Sequence, residues 1–245
     1  MKIVFLVYPG MTALDAIGPY EVFNSLRTFD IQFVWKEVGP VVTDSGVLVL
    51  GATHTLGEVH ECDVVLVPGS STDTLTLMAD REVLDWLRSI HPTTRFTTSV
   101  CSGALILGAA GLLEGIPATT HWGAMAGLKQ VGARPEPEER IVRYEKIITA
   151  AGVSAGIDLA LYLVGELLDE EQAMIAQLLI EYDPQPPFDS GHMSKANKEV
   201  ARQAKVKIAK AAAMNPRNLV SIPKIGANQW RKILKGQPKR EKGVK

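Results

Sequence analysis

The stretch Thr97-Thr98-Ser99-Val100-Cys101-Ser102-Gly103-Ala104-Leu105-Ile106-Leu107 decides the fold. A short β-rich segment ends at Cys101, and a Gly/Ala/Leu helical pattern begins just after it. A helix N-terminus offers unsatisfied N–H groups and a partial positive charge, and both favour thiolate over thiol. The placement predicts that Cys101 is a nucleophile at neutral pH. Strand, tight turn and helix in succession also suggest a nucleophile elbow. The competing reading is a small apolar residue buried at a strand end, which is common for free cysteine. The neighbouring segments weigh against it.

Working outward, residues 3–8 and 63–68 form continuous apolar runs, as expected of strands covered on both faces. Residues 95–100 form the strand that leads into Cys101. Further strands are predicted at 31–38, 118–120, 141–144 and 147–150, with a hairpin over 42–50 that turns at Asp44-Ser45-Gly46. Helical spacing covers 12–27, 81–91, 104–113, 121–131, 156–168 and 170–182. The alternation predicts an α/β fold with a mostly parallel sheet. In such sheets the site lies beyond the C-terminal strand ends. Three pieces converge there: the loop 9–15, the turn Pro68-Gly69-Ser70-Ser71, and Cys101.

The bulk composition agrees with one main domain. The chain has 245 residues, 46% hydrophobic and 22% charged. We expect a division into 1–190, the α/β domain, and 191–245, a basic C-terminal extension that is partly helical or disordered. Pro184, Pro186 and Pro187 stiffen the junction. A basic helix is expected at 195–214, periodicity is lost from Pro216 onward, and 235–245 is expected to fray. Residues 190–245 hold 15 Lys/Arg against 2 Asp/Glu, while the remainder holds 11 against 25. Nucleic-acid binding is not favoured despite this charge, because no reading motif lies beside it. No apolar run is long enough to span a bilayer. The two cysteines, Cys62 and Cys101, form no disulfide framework, and a reducing cytoplasm is the expected compartment. No ligand spacing supports a metal site.

The chemistry is expected to concentrate on a few residues. The backbone N–H of Ser102 follows the nucleophile and suits an oxyanion-type donor. Gly69 and Ser70, at a neighbouring strand end, are candidates for a second donor and for substrate contact. Asp15 sits at a helix start, where an acid is commonly a cap. Beside a thiolate it could instead stay protonated and shuttle a proton. Glu21 is expected to be structural. His121 is read either as a base for Cys101 or as a pocket wall, with the wall preferred. Cys62 is expected to be an inert strand cysteine.

Ser99-Val100-Cys101-Ser102-Gly103-Ala104, the set Leu14-Asp15, Gly18-Pro19 and Glu21-Val22-Phe23, Val67-Pro68-Gly69, and Ala118-Thr119-Thr120-His121-Trp122 together resemble the ThiJ/PfpI superfamily. This superfamily is related to the class I glutamine amidotransferases. The likeness runs on through Val153-Ser154-Ala155-Gly156-Ile157-Asp158 to the segment 181–188, and as a set it most resembles the isocyanide hydratase branch. The resemblance implies a flavodoxin-like three-layer sandwich, a homodimer, no cofactor, and Cys101 as the nucleophile. Where much of the superfamily places glutamate against the cysteine, this chain has Asp15, as isocyanide hydratases do. Peptidase-like members carry His after the cysteine, and Ser102 here argues against a protease. Many members have Gly-Gly where this chain has Gly69-Ser70, so a side chain enters the pocket.

The expected activity is cysteine-dependent hydration of a small isocyanide to an N-substituted formamide. The rivals are glyoxalase- or deglycase-like action on small carbonyl compounds, and a non-enzymatic domain of the kind found in AraC-type regulators, or one sensing redox state through Cys101. No helix-turn-helix pair is readable after position 189.

Overall fold

The continuous apolar runs form the centre of the sheet. In this computed structural model, which describes residues 1–214 with Ser221 and Ile225, the strands in chain order are β1 (Lys2–Leu6), β2 (Asp30–Trp35), β3 (Gly39–Val42), β4 (Val49–Ala52), β5 (His54–Thr55), β6 (Val64–Val67), β7 (Phe96–Val100), β8 (Pro117–Ala118), β9 (Arg134–Pro135), β10 (Ile141–Tyr144) and β11 (Ile147–Ala150). The helices are α1 (Ala13–Ser25), α2 (Thr74–Met78), α3 (Arg81–Ile90), α4 (Gly103–Ala109), α5 (Met125–Gln130), α6 (Ala155–Leu167), α7 (Glu170–Leu179) and α8 (Lys198–Met214). Every residue of β6, β7 and β11 is buried, as both-face coverage requires.

Seven strands form one sheet in the order β10-β11-β7-β6-β1-β2-β5. All neighbours are parallel except β10, which returns antiparallel beside β11. The chain steps from β1 to β2 in one direction and from β6 to β7 to β11 in the other. Right-handed crossovers therefore place α1 on one face and α3 and α4 on the other. Helices α1, α6 and α7 pack together, and α2 to α5 pack together, giving two helical layers around the sheet. The direction reverses between β1 and β6, so the crevice for a ligand opens at their C-terminal ends.

Several elements differ from expectation for local reasons. The hairpin is longer: β3 and β4 pair from Gly39↔Ala52 to Val42↔Val49 around the predicted turn. The strand at 118–120 shrinks to a two-residue pairing of β8 with β9. The segment 121–131 splits into a 3-10 turn, Trp122–Ala124, followed by α5. Helix α4 stops at Ala109 rather than 113. Helix α2 has only five residues, too few for a periodic signal. The basic helix is present as α8, with Ala201, Ala204, Ile208 and Ala211 half-buried along one stripe. The expectations for Pro216 onward and for 235–245 lie outside the described residues. No described helix is long and apolar enough to cross a membrane.

Candidate active site

Cys101 adopts φ = 58°, the left-handed region that L-residues avoid. Such a conformation costs about 1–2 kcal/mol, so the surroundings must hold it. The Cys101 N–H donates to the Ala151 carbonyl at 2.7 Å, beyond the end of β11. The Cys101 carbonyl accepts the Thr120 hydroxyl at 2.6 Å. Two glycines permit the close approach of β6 to the start of α4. A Cβ on Gly103 would stand 2.1 Å from the Val67 carbonyl oxygen, and one on Gly69 would stand 2.5 Å from the Ser102 nitrogen.

Asp15, in the first turn of α1, is fully buried. Its Oδ2 accepts the Gly69 N–H at 2.8 Å, and the Gly69 carbonyl accepts the Thr12 N–H at 2.9 Å. Loop 9–15 and the turn after β6 are thereby locked together. Asp15 Oδ1 is buried without a hydrogen-bond partner, and the Cys101 and Asp44 side chains both act on the carboxyl. Burial raises the Asp15 carboxyl from 3.8 to about 7, against the opposing pull of Gly69 and Cys101. Burial, and then the Asp15 charge, raise the Cys101 thiol; the Ser102 and Val153 N–H groups and the Ser102 hydroxyl pull it down.

The start of α4 does not act on the thiol alone. Desolvation and an adjacent carboxylate outweigh the N–H groups at the start of α4. The two acids behave as a pair in which one ionises at the other's expense.

The turn after β6 is closed by hydroxyls. The Ser70 N–H donates to Ser102 Oγ at 3.0 Å, and Ser102 Oγ lies 2.6 Å from Thr74 Oγ1. The Ser70 hydroxyl donates to the Gly10 carbonyl and accepts the N–H groups of Thr72 and Asp73 at 2.9 and 2.7 Å. The expectation that Gly69 and Ser70 offer free N–H donors to substrate is therefore corrected. The first is taken by Asp15 and the second by Ser102. The Ser102 N–H does face Cys101, joined by the Val153 N–H.

His121 Nδ1 accepts the Gly123 N–H at 3.1 Å, and burial lowers the ring's pKa. The neutral ring therefore carries its proton on Nε2, which makes it a donor rather than a base. The ring lies against Gly152, where a Cβ would come within 2.7 Å of Cδ2. Glu21 is exposed on α1. Cys62 is buried, and its thiol is pushed up to about 12 by burial and then by Asp63.

Cys101, Ser102, Ser70, Thr12 and His121 face one cavity of about 450 Å³. Residues that the sequence pattern does not flag complete it. Val153 follows β11 and lines the cavity, as does Thr74 of the short α2. Tyr8 is fully buried behind the site, with its hydroxyl donating to the Pro68 carbonyl at 3.0 Å. Ile208 and Ala211 reach the same cavity from α8. Only the apolar stripe of α8 could have signalled this, and a stripe does not name what it covers.

Residues 1–166 match the family described as DJ-1/PfpI. An isonitrile hydratase of Pseudomonas putida is 42% identical over 209 residues, which cover 85% of this chain and 90% of that protein. A solved THiJ/PfpI family protein from Pseudomonas syringae superposes with a TM-score of 0.82 at 41% identity, covering 90% of each chain. The HTH-type transcriptional regulator CdhR of Pseudomonas aeruginosa is 26% identical over 176 residues, and the match spans 49% of its length. The family match over 1–166, the identity over most of the chain and the close superposition agree: this chain belongs to the DJ-1/PfpI family.

Proposed function

We propose that this protein is an isocyanide hydratase, a lyase that adds water to an isocyanide and releases an N-substituted formamide. Cys101 is the nucleophile and Asp15 the proton carrier. The observation that carries this reading is the buried Asp15 carboxyl beside the Cys101 thiol, raised to about 7, with Oδ1 left without a partner. The 42% identity to an isonitrile hydratase supports the substrate class.

An isocyanide's terminal carbon accepts a nucleophile and then a proton at the same atom. In the first step Asp15 takes the thiol proton, and the sulfur bonds to the terminal carbon. Asp15 then returns that proton to the same carbon, leaving a thioimidate, R–N=CH–S–Cys101. The Ser102 and Val153 N–H groups, which favour the charged sulfur, steady the thiolate as it forms. In the second step water adds to the thioimidate carbon while Asp15 accepts one of its protons and delivers it to nitrogen. Collapse of the adduct breaks the C–S bond, releases the formamide and returns the proton to sulfur. One carboxyl near pH 7 serves both directions of transfer, which a permanently ionised carboxylate would do poorly.

The test is turnover of p-nitrophenyl isocyanide, followed optically, by wild type, Cys101→Ala and Asp15→Asn. Wild-type turnover lost in both variants is expected. Full turnover by Cys101→Ala, or wild-type preference for methylglyoxal over isocyanides, would overturn the reading. Because Asp15 must accept the thiol proton, kcat/KM should rise with pH through about 7.

A further inference from the structure

The reaction leaves α8 without a role, yet α8 reaches the reaction cavity. Ile208 and Ala211 belong to its body-facing stripe and line the cavity that holds Cys101. The contact is close: a Cβ on Gly123 would stand 3.0 Å from Ile208 Cδ1. Leu75 and Leu105 line the same cavity from α2 and α4. Lys207 is exposed and is the only charged side chain lining the cavity among the described residues. Helix α8 also lies beyond residues 1–166, the span of the family match.

The geometry of the reagent says what these residues face. An isocyanide is linear, so a carbon held at the Cys101 sulfur directs the nitrogen substituent away from it along the cavity. That substituent must lie among the walls remote from sulfur. We propose that α8 is the wall that reads the substituent, with Ile208 setting its width and Lys207 favouring a group that ends in an anion. On this reading, which rests on the hydratase function, the preferred substrate is an isocyanide with an apolar body and a distal carboxylate. A cation on the solvent side attracts such a group without entering the chemistry.

Two readouts test this, and one does not depend on hydration. The first is the preference, in kcat/KM, for para-isocyanobenzoate over phenyl isocyanide. The second is the ratio of Cys101 alkylation rates by iodoacetate and iodoacetamide, assigned by peptide mass. Lys207 is exposed, so Lys207→Gln and Lys207→Glu should keep the wild-type melting temperature. Lys207→Gln should lower both ratios about two- to fivefold, the size of one screened ion pair, and Lys207→Glu should lower them further. Ile208→Ala should shift the preference toward para-tert-butylphenyl isocyanide over phenyl isocyanide by about tenfold. If the alkylation ratio responds but wild type turns over no isocyanide, the α8 wall stands and the hydratase reading falls. If neither lysine variant moves either ratio, the proposal is overturned.

Discussion

Cys62 and Cys101 are equally buried, at 6% exposure each, and burial raises both thiols. They stand at opposite ends of neighbouring parallel strands: Cys62 just before β6, Cys101 just after β7. Each has an aspartate acting on it. Asp63, beside Cys62, accepts the Lys2 N–H at 2.7 Å and is half-buried. Asp15, against Cys101, is fully buried and keeps one oxygen without a partner. Cys101 also faces two N–H groups and a cavity. The difference teaches that exposure does not distinguish the two thiols. What separates them is a neighbour able to take the proton and donors able to hold the charge that remains.

The largest expected effect breaks the comparison outright. Cys101→Ala should lower isocyanide turnover by about 10⁴-fold or more, since an alanine cannot form the covalent intermediate. Cys62→Ala should stay within about twofold in turnover, measured side by side at equal folded concentration.

Next comes the proton partner. The folded-state carboxyl of Asp15 titrates near 7 and the unfolded one near 3.8. Between those values the folded chain holds a proton that the unfolded chain has released, so stability falls as pH rises through this window. The loss is complete above pH 7 and amounts to about 4 kcal/mol. Asp15→Asn should therefore melt higher than wild type at pH 8 and close to it at pH 4, while losing turnover. A variant no more stable at pH 8 would remove the buried-acid account.

Backbone fit follows. Gly103→Ala puts a methyl group against the Val67 carbonyl, an overpacked contact that costs about 1–3 kcal/mol. Denaturant midpoints should show the loss, and Cys101 alkylation should change before Cys62 becomes reactive. The smallest effect is expected at His121. As a neutral donor in the wall, His121→Gln should alter kcat/KM by less than about tenfold and leave the pH profile in place; loss of the profile would restore the histidine as a base.

Much of the fold is legible in the sequence. Apolar strands at 3–8 and 63–68 follow from composition alone, because both-face burial leaves no room for alternation. The turn of the hairpin is readable from Asp44-Ser45-Gly46, and the place of Cys101 from the switch between a β-rich run and a Gly/Ala/Leu run. The short elements are not legible. Helix α2 and strands β8 and β9 are held by contacts to distant segments rather than by local pattern. The roles of Gly69 and Ser70 escape a sequence reading for a related reason. Their N–H groups are donors by position, but Asp15 and Ser102 claim them only once the chain has folded.

The sequence by itself determined the mostly parallel α/β sheet, the strand end at which the candidate site lies, and the cysteine there, because periodicity and turn chemistry act between residues a few positions apart. The tertiary structure alone decided the burial of Asp15 against Cys101, the hydrogen bond that His121 Nδ1 accepts and the covering of the cavity by α8. Those depend on desolvation and on which groups meet across the sheet, and no local pattern encodes either.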